Sequence, residues 1–190
     1  MKKFFIFIWE IAKVAIISLA IILPVRHYLI QPFYVKGASM EPNFHDSEYL
    51  IIDELSYRFN EPTRGQVVVF RYPRNPQEYF IKRIIALPGE EVQIRDGKIT
   101  IFNDEYSEGL TLSEEYLDEN LVTFNDSENK TVVGPDEYFV LGDNRGSSRD
   151  SRSFGPVNKN FITGKVLFRG WPLSKISFFG KDAWPNYIQQ

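Results

Sequence analysis

From Phe4 to Leu23 the chain runs for twenty residues with only two charges, Glu10 and Lys13. About twenty apolar residues are needed to cross a bilayer as a helix. Glu10 and Lys13 are three apart, so on a helix they share a face and pair. A span placed instead from about Ile11 to Ile30 puts that pair at the headgroup level, where lysine snorkels. Ser18-Leu19-Ala20 has the form of a small-x-small leader cleavage site, but Ile21-Ile22-Leu23 continue the apolar run past it and no polar mature terminus follows. Pro24 and the aromatic-rich stretch from Tyr28 to Tyr34 mark an interfacial exit. The pattern therefore predicts a retained anchor over residues 1–30, spanning about 4–25.

Beyond Gln31 the pattern changes to short runs rich in Val, Ile, Phe and Tyr, punctuated by Pro, Gly, Asn and Asp. It predicts strands over Phe33–Lys36, Glu48–Asp53, Gln66–Arg71, Tyr79–Ala86, Glu91–Arg95, Lys98–Phe102, Thr131–Val133, Tyr138–Leu141 and Lys165–Arg169. Asp96-Gly97 is a strong signal for a tight hairpin. Short helical pieces are expected at Glu54–Phe59 and Ser113–Asn120. Frequent strands without long helical periodicity predict a mainly β domain, 31–190, built as a coiled antiparallel sheet or barrel behind one N-terminal transmembrane helix. Residues 103–130 read as an acidic insertion, too short and polar for a core of their own.

Composition adds material for a core: 43% apolar and 15% aromatic residues in 190. There is no cysteine, which removes disulfides, thiolate metal sites and a cysteine nucleophile from consideration. The formal charge of −3 hides an asymmetry. The insertion carries Asp104, Glu105, Glu108, Glu114, Glu115, Asp118, Glu119, Asp126 and Glu128 against Lys130; the last thirty residues carry Lys159, Lys165, Arg169, Lys175 and Lys181 against Asp182. Both read first as solvated surface. The basic, aromatic stretch from Phe168 to Phe179 also suits anionic lipid headgroups. The chain is acidic and its bases are dispersed, so nucleic acid is not an expected partner. Lys2 and Lys3 favour a cytoplasmic N-terminus, against a weaker opposing bias from Arg26 and His27.

Candidate chemistry lies in three stretches. Gly37-Ala38-Ser39-Met40-Glu41-Pro42 joins a strand to a turn. A serine there is usually structural; Ser39 stands out because it falls some ten residues past the membrane boundary with a plausible base on a nearby strand. In Tyr79-Phe80-Ile81-Lys82-Arg83-Ile84, period-two alternation sets Phe80, Lys82 and Ile84 on one face. Lys82 then either snorkels at an edge, blunting aggregation, or is buried, which lowers its pKa from about 10.4 towards the roughly 7–8 that a general base needs. The strand pattern leaves both open. His27 and His45 offer no easier base, and two histidines without cysteine make a zinc site improbable. No cofactor or metal is expected. The third stretch, Gly142 to Arg152, is a loop dense in hydrogen-bonding side chains, read by itself as a polar loop with local ion pairs.

In this order, Ser-Met-x-Pro, Lys-Arg-Ile-x-x-x-Pro-Gly and Gly-Asp-Asn-Arg-x-x-Ser-x-Asp-Ser-Arg resemble the signature boxes of the type I (bacterial-type) signal peptidases. The resemblance extends through Leu87-Pro88-Gly89-Glu90, Phe154-Gly155-Pro156-Val157 and Phe168-Arg169-Gly170-Trp171-Pro172-Leu173. It implies a membrane-bound serine endopeptidase, extracytoplasmic and monomeric, that cuts signal peptides from preproteins after small-x-small sites. By the match Ser39 is the nucleophile and Lys82 the general base. Ser148 orients the Lys82 amine, Asp150 pairs with Arg152, and Asp143 pairs with Arg83. Met40 shapes the substrate site, and the segment leading to Ser39 together with Tyr79, Phe80 and Ile81 receives the substrate as an added strand. One departure is Gly37, where some members carry a serine that donates to the oxyanion. Asn43 replaces the usual threonine, and Gly146 and Arg149 occupy free positions. Alternatives are a self-cleaving serine–lysine protease and a catalytically inactive, membrane-tethered β module that binds peptides. Apolar surface near Phe33 and Phe44 is expected to make the domain lean on membrane or detergent.

Overall fold

The structure, a computed structural model, describes residues 2–28, 30–118, 121–124, 129–180 and 183–185. Expectations that fall on Glu119, Asn120, Asp126, Glu128, Lys181 and Asp182 lie outside the described residues. Helix α1, Lys2–Tyr28, comes first. Its stretch Lys2–Leu23 is apolar and uncovered by the rest of the chain. At about 1.5 Å per residue those 22 residues reach about 33 Å, enough for a hydrocarbon core of about 30 Å. The Lys13 ammonium donates to Glu10 at 2.6 Å, as the spacing requires.

The remaining described residues are mainly β. The strands, in chain order, begin with β1 (Ile30–Tyr34), β2 (Tyr49–Asp53), β3 (Val67–Tyr72) and β4 (Asn75–Ala86). Next come β5 (Glu91–Arg95), β6 (Lys98–Phe102), β7 (Leu110–Thr111), β8 (Thr131–Val132) and β9 (Glu137–Leu141). A one-turn helix α2 (Ser151–Phe154) precedes β10 (Val157–Asn158), β11 (Ile162–Trp171) and β12 (Ser177–Phe178). One sheet runs β1-β2-β11-β3-β4-β9-β10 with β12 on β11; the other runs β7-β6-β5-β8. Asp96 and Gly97 both take positive φ, 51° and 75°, as the expected tight hairpin between β5 and β6 demands.

β3 explains how the large sheet is held. Val67, Val68, Val69 and Phe70 are all buried, because alternate residues serve two cores. Val67 and Val69 pack with Val35, Met40, Phe44, Leu50 and Ile52; Val68 and Phe70 pack with Ile84, Tyr138, Val140 and Val157. A strand covered on both faces is a continuous apolar run rather than an alternating one. A third cluster joins Ile85 and Ala86 of β4 to the inner faces of β5 and β6. The sheet coils far enough that Phe33 of β1 meets Tyr79 of β4, ring centroids 5.2 Å apart.

Several expectations are corrected. Ser113–Asn120 forms turns, not a helix, over its described part, and Glu54–Phe59 shrinks to one 3-10 turn at Ser56–Arg58. Phe44 is not exposed: it is buried against Met40 and Phe179, and the exposed apolar side chains near the C-terminus are Trp171, Leu173, Ile176 and Phe178. The basic stretch is not simply a lipid-facing surface either, since Arg169 is buried against Glu48, with Nε 3.0 Å from Oε2.

Candidate active site

Ser39 lies in the loop that follows β1. Asp46 organises this loop by accepting the Gly37 N–H at 2.6 Å, while the Phe44 N–H donates to the Met40 carbonyl at 2.8 Å. Gly37 adopts φ 85°, a left-handed conformation that glycine enters without steric cost. Lys82 sits on β4 opposite Val68 of β3 and is 3% exposed. Its Nζ lies 2.7 Å from Ser39 Oγ and 2.7 Å from the Ile81 carbonyl oxygen, with the Phe80 ring centroid 5.4 Å away. The two alternatives left open by the strand pattern are thus decided: the lysine is buried, not snorkelling. Burial pushes its pKa down from 10.5 to about 8, against the opposing pull of Asp150 and Asp143. As an ammonium it donates to Ser39; as a neutral amine it accepts the serine proton across the same contact.

The loop after β9 completes the site. The Gly142 N–H donates to Asp150 at 3.0 Å, and its carbonyl accepts from Arg145 Nε at 3.0 Å. A Cβ on Gly142 would lie 2.1 Å from Ser148 Oγ and 2.4 Å from the Ser39 carbonyl oxygen, so only glycine fits between them. The Asn144 N–H donates to that same Ser39 carbonyl at 3.1 Å, and its side-chain amide donates to the Ala38 carbonyl at 3.1 Å. Two ion pairs stiffen the frame. Arg83 Nε and Nη2 donate to Asp143 at 2.9 and 2.6 Å, and Arg152 Nε and Nη2 donate to Asp150 at 2.8 and 2.8 Å. Asp150 also caps α2, accepting the Arg152 N–H.

Two expected contacts are absent. The Ser148 hydroxyl is buried and makes no hydrogen bond, to Lys82 or to any other described group. Met40, 1% exposed, belongs to the core beneath Ser39 and does not line the groove beside it. That groove, of about 660 Å³, is floored by Val35, Leu50 and Val69, walled by Tyr79, Phe80 and Ile81, and rimmed by the charges of Lys36, Glu78 and Arg149. The segment leading to Ser39, Phe33 to Lys36, also lines it. Arg149, at a position the motif leaves free, is thus also on the groove, and the loop's spacing carries no signal for it. Leu50 and Val69 come from strands distant in sequence, so only the coiling of the sheet brings them here.

The backbone beside the groove is open to a partner. β4 pairs with β3 along its length but meets β9 only from Arg83 onward, and β1 pairs with β2 alone among the described residues. The sequence reading also missed Asn43, whose amide donates to Asp143 at 2.9 Å and to the Tyr116 carbonyl at 3.0 Å. His45 is no rival base, lying at the surface with Nδ1 3.6 Å from Glu41. Among the described residues no three His, Asp or Glu side chains gather as metal ligands.

Comparison with known proteins follows the same lines. The family described as signal peptidase, peptidase S26, matches residues 8–171. A signal peptidase I of Leptolyngbya laminosa is 34% identical, covering 90% of this chain and 82% of that protein. A signal peptidase IB of Staphylococcus aureus is 32% identical over 85% of this chain and 88% of that protein. A solved signal peptidase I from Enterococcus faecalis is 34% identical and superposes with a TM-score of 0.46, over 56% of this chain and 97% of the other. With the family matched over most of its length, the chain belongs to the signal peptidases of peptidase family S26.

Proposed function

We propose that this serine endopeptidase cuts signal peptides from exported preproteins after small-x-small sites, with Ser39 as nucleophile and Lys82 as general base. The observation that carries the reading is the 2.7 Å contact between Ser39 Oγ and a buried lysine amine, whose pKa burial pushes down to about 8. At neutral pH about a tenth of such an amine is unprotonated, against well under a thousandth for a free lysine. Neutral Lys82 takes the Ser39 proton as Oγ attacks the scissile carbonyl carbon. The resulting ammonium returns that proton to the leaving amine as the C–N bond breaks, leaving an acyl ester on Ser39. Lys82 then takes a proton from water, whose oxygen attacks the ester carbonyl, and the proton goes back to Ser39 as the acyl bond breaks.

The Ser39 N–H is the first donor to the developing oxyanion; Gly37 contributes no hydroxyl. One such donor is worth about 3 kcal/mol. The open edges of β1 and β4 favour an extended substrate laid between them. A shallow floor of Val35, Leu50 and Val69 suits small side chains. Helix α1 anchors the protein in the membrane; with Lys2 and Lys3 inside, residues 31–190 act as a monomeric catalytic domain on the far side, close to lipid.

The test is cleavage of a preprotein carrying an Ala-x-Ala site by the full chain in detergent, beside Ser39→Ala and Lys82→Ala. A cut after the second alanine that vanishes in both variants is expected. Retained cutting by Lys82→Ala would remove the lysine from its role.

A further inference from the structure

The acidic insertion touches the second and third candidate stretches and the residue that follows the first, which its composition gives no reason to expect. Glu114 and Thr123 both bond Arg145, whose side chain is wholly buried. The Tyr116 hydroxyl accepts from Arg145 Nη2 at 3.1 Å. The Tyr116 ring lies 4.0 Å under the Arg83 guanidinium, and the Tyr116 carbonyl accepts from Asn43, four residues past the nucleophile. Further along, the Phe124 carbonyl accepts from Arg152 Nη1 at 3.1 Å. The insertion thus holds Arg145 and Arg152, one on each side of Ser148 and Asp150. Arg145 in turn holds the Gly142 carbonyl, and the backbone beside it holds the Ser39 carbonyl through Asn144. Burial disfavours the Arg145 charge, but the hydrogen bonds and charge of Glu114 more than offset that.

Glu114 is therefore not part of a solvated acidic face. Its neighbours Glu115 and Asp118 are exposed, while its own side chain is 15% exposed and turned into the site. We propose that the insertion is a clasp, with Glu114 and Tyr116 as positioning residues that fix the Gly142–Asp150 loop against Ser39 and keep water from Lys82. The proposal rests on the dyad assigned above. No residue of the clasp touches substrate; it acts through Arg145 and Asn43.

The charged groups around Lys82 define what its loss would do. Asp143 and Asp150 face the amine from the third loop, Arg83 follows it on β4 but is engaged with Asp143, and Lys36, Glu78 and Arg149 rim the groove. If the loop loosens, water reaches the ammonium while both carboxylates stay near. The ammonium then becomes a weaker acid, and less neutral amine is available as base at neutral pH.

The experiment compares full-length wild type, Glu114→Gln, Glu114→Asp and Tyr116→Phe in detergent, measuring kcat, KM and their pH dependence. In parallel, Lys82 is titrated by NMR in protein labelled with carbon-13 at lysine Cε, the Lys82 signal being identified by its loss in Lys82→Ala. For Glu114→Gln we expect kcat to fall roughly 10- to 100-fold near pH 7.5 with KM within about twofold. The Lys82 midpoint should rise by about one pH unit, and Glu114→Asp should recover most of the loss. Tyr116→Phe, which keeps the ring and the carbonyl, should show a smaller shift in the same direction. A lowered melting temperature with the Lys82 midpoint unmoved would make Glu114 merely structural and overturn the proposal. So would a loss carried by KM. If wild type cuts no preprotein, the assigned reaction fails, and the Lys82 titration across the same variants still decides the clasp.

Discussion

Lys82 and Arg83 are neighbours on β4, each 3% exposed, and they have opposite fates. Arg83 is clamped by both oxygens of Asp143 and by the Gly65 carbonyl. Lys82 is given a serine hydroxyl, a backbone carbonyl and an aromatic ring, and among the described residues no carboxylate within bonding distance. A buried cation with a bidentate partner stays charged and becomes a rigid strut. One without such a partner loses affinity for its proton and becomes reactive. On the proposed role of Lys82, the difference between scaffold and chemistry on this strand is the placement of one carboxylate.

Breaking the strut should have the largest effect on stability. Arg83→Met leaves Asp143 buried and short of its charge partner, which costs about 3–5 kcal/mol; urea unfolding should show a correspondingly lower midpoint. Lys82→Met should go the other way. Its folded value, about 8, lies below the ordinary lysine value of 10.5, so the unfolded chain holds the proton more tightly across that window and wild-type stability rises with pH through it. Below pH 8 the variant should be more stable by about 3 kcal/mol, a gain that disappears towards pH 10.5, with cleavage abolished throughout. A drop in stability at pH 7 would break the comparison.

A gentler test leaves the sequence intact. The cleavage rate under kcat/KM conditions should fall about tenfold per pH unit below pH 8 and level off above it. Smallest of all, Lys130→Met removes the half-exposed pair with Glu91, 3.0 Å apart, and should change stability by less than about 1 kcal/mol. A larger change would show that pairing, rather than burial with pairing, sets the scale.

Much of the fold was legible because it is local. Alternation placed β2, β5, β6 and β9 within a residue or so, and Asp96-Gly97 announced its hairpin. The pairs Arg83–Asp143 and Arg152–Asp150 followed from the family resemblance and are present. What stayed hidden depends on contacts between distant segments. Glu114 is one acid among nine until Arg145 is seen beside it, and Met40 sits next to Ser39 in sequence yet faces the core. The Ser148 hydroxyl is buried in the loop where the resemblance puts it, but a correct residue in a correct loop does not guarantee the hydrogen bond.

The open stretch of β4 before Arg83 carries one more consequence. A strand added there, as proposed, shows alternate side chains to the floor and turns the intervening one outward. Across a three-residue site the groove would then read the first and third letters, and both letters are merely small. So short a password recurs throughout exported proteins, and the groove by itself would accept many internal segments. Folding supplies the missing selectivity, since a segment already paired within a domain has no free backbone to offer. On this reading the enzyme recognises an unpaired stretch of chain as much as a particular string of residues.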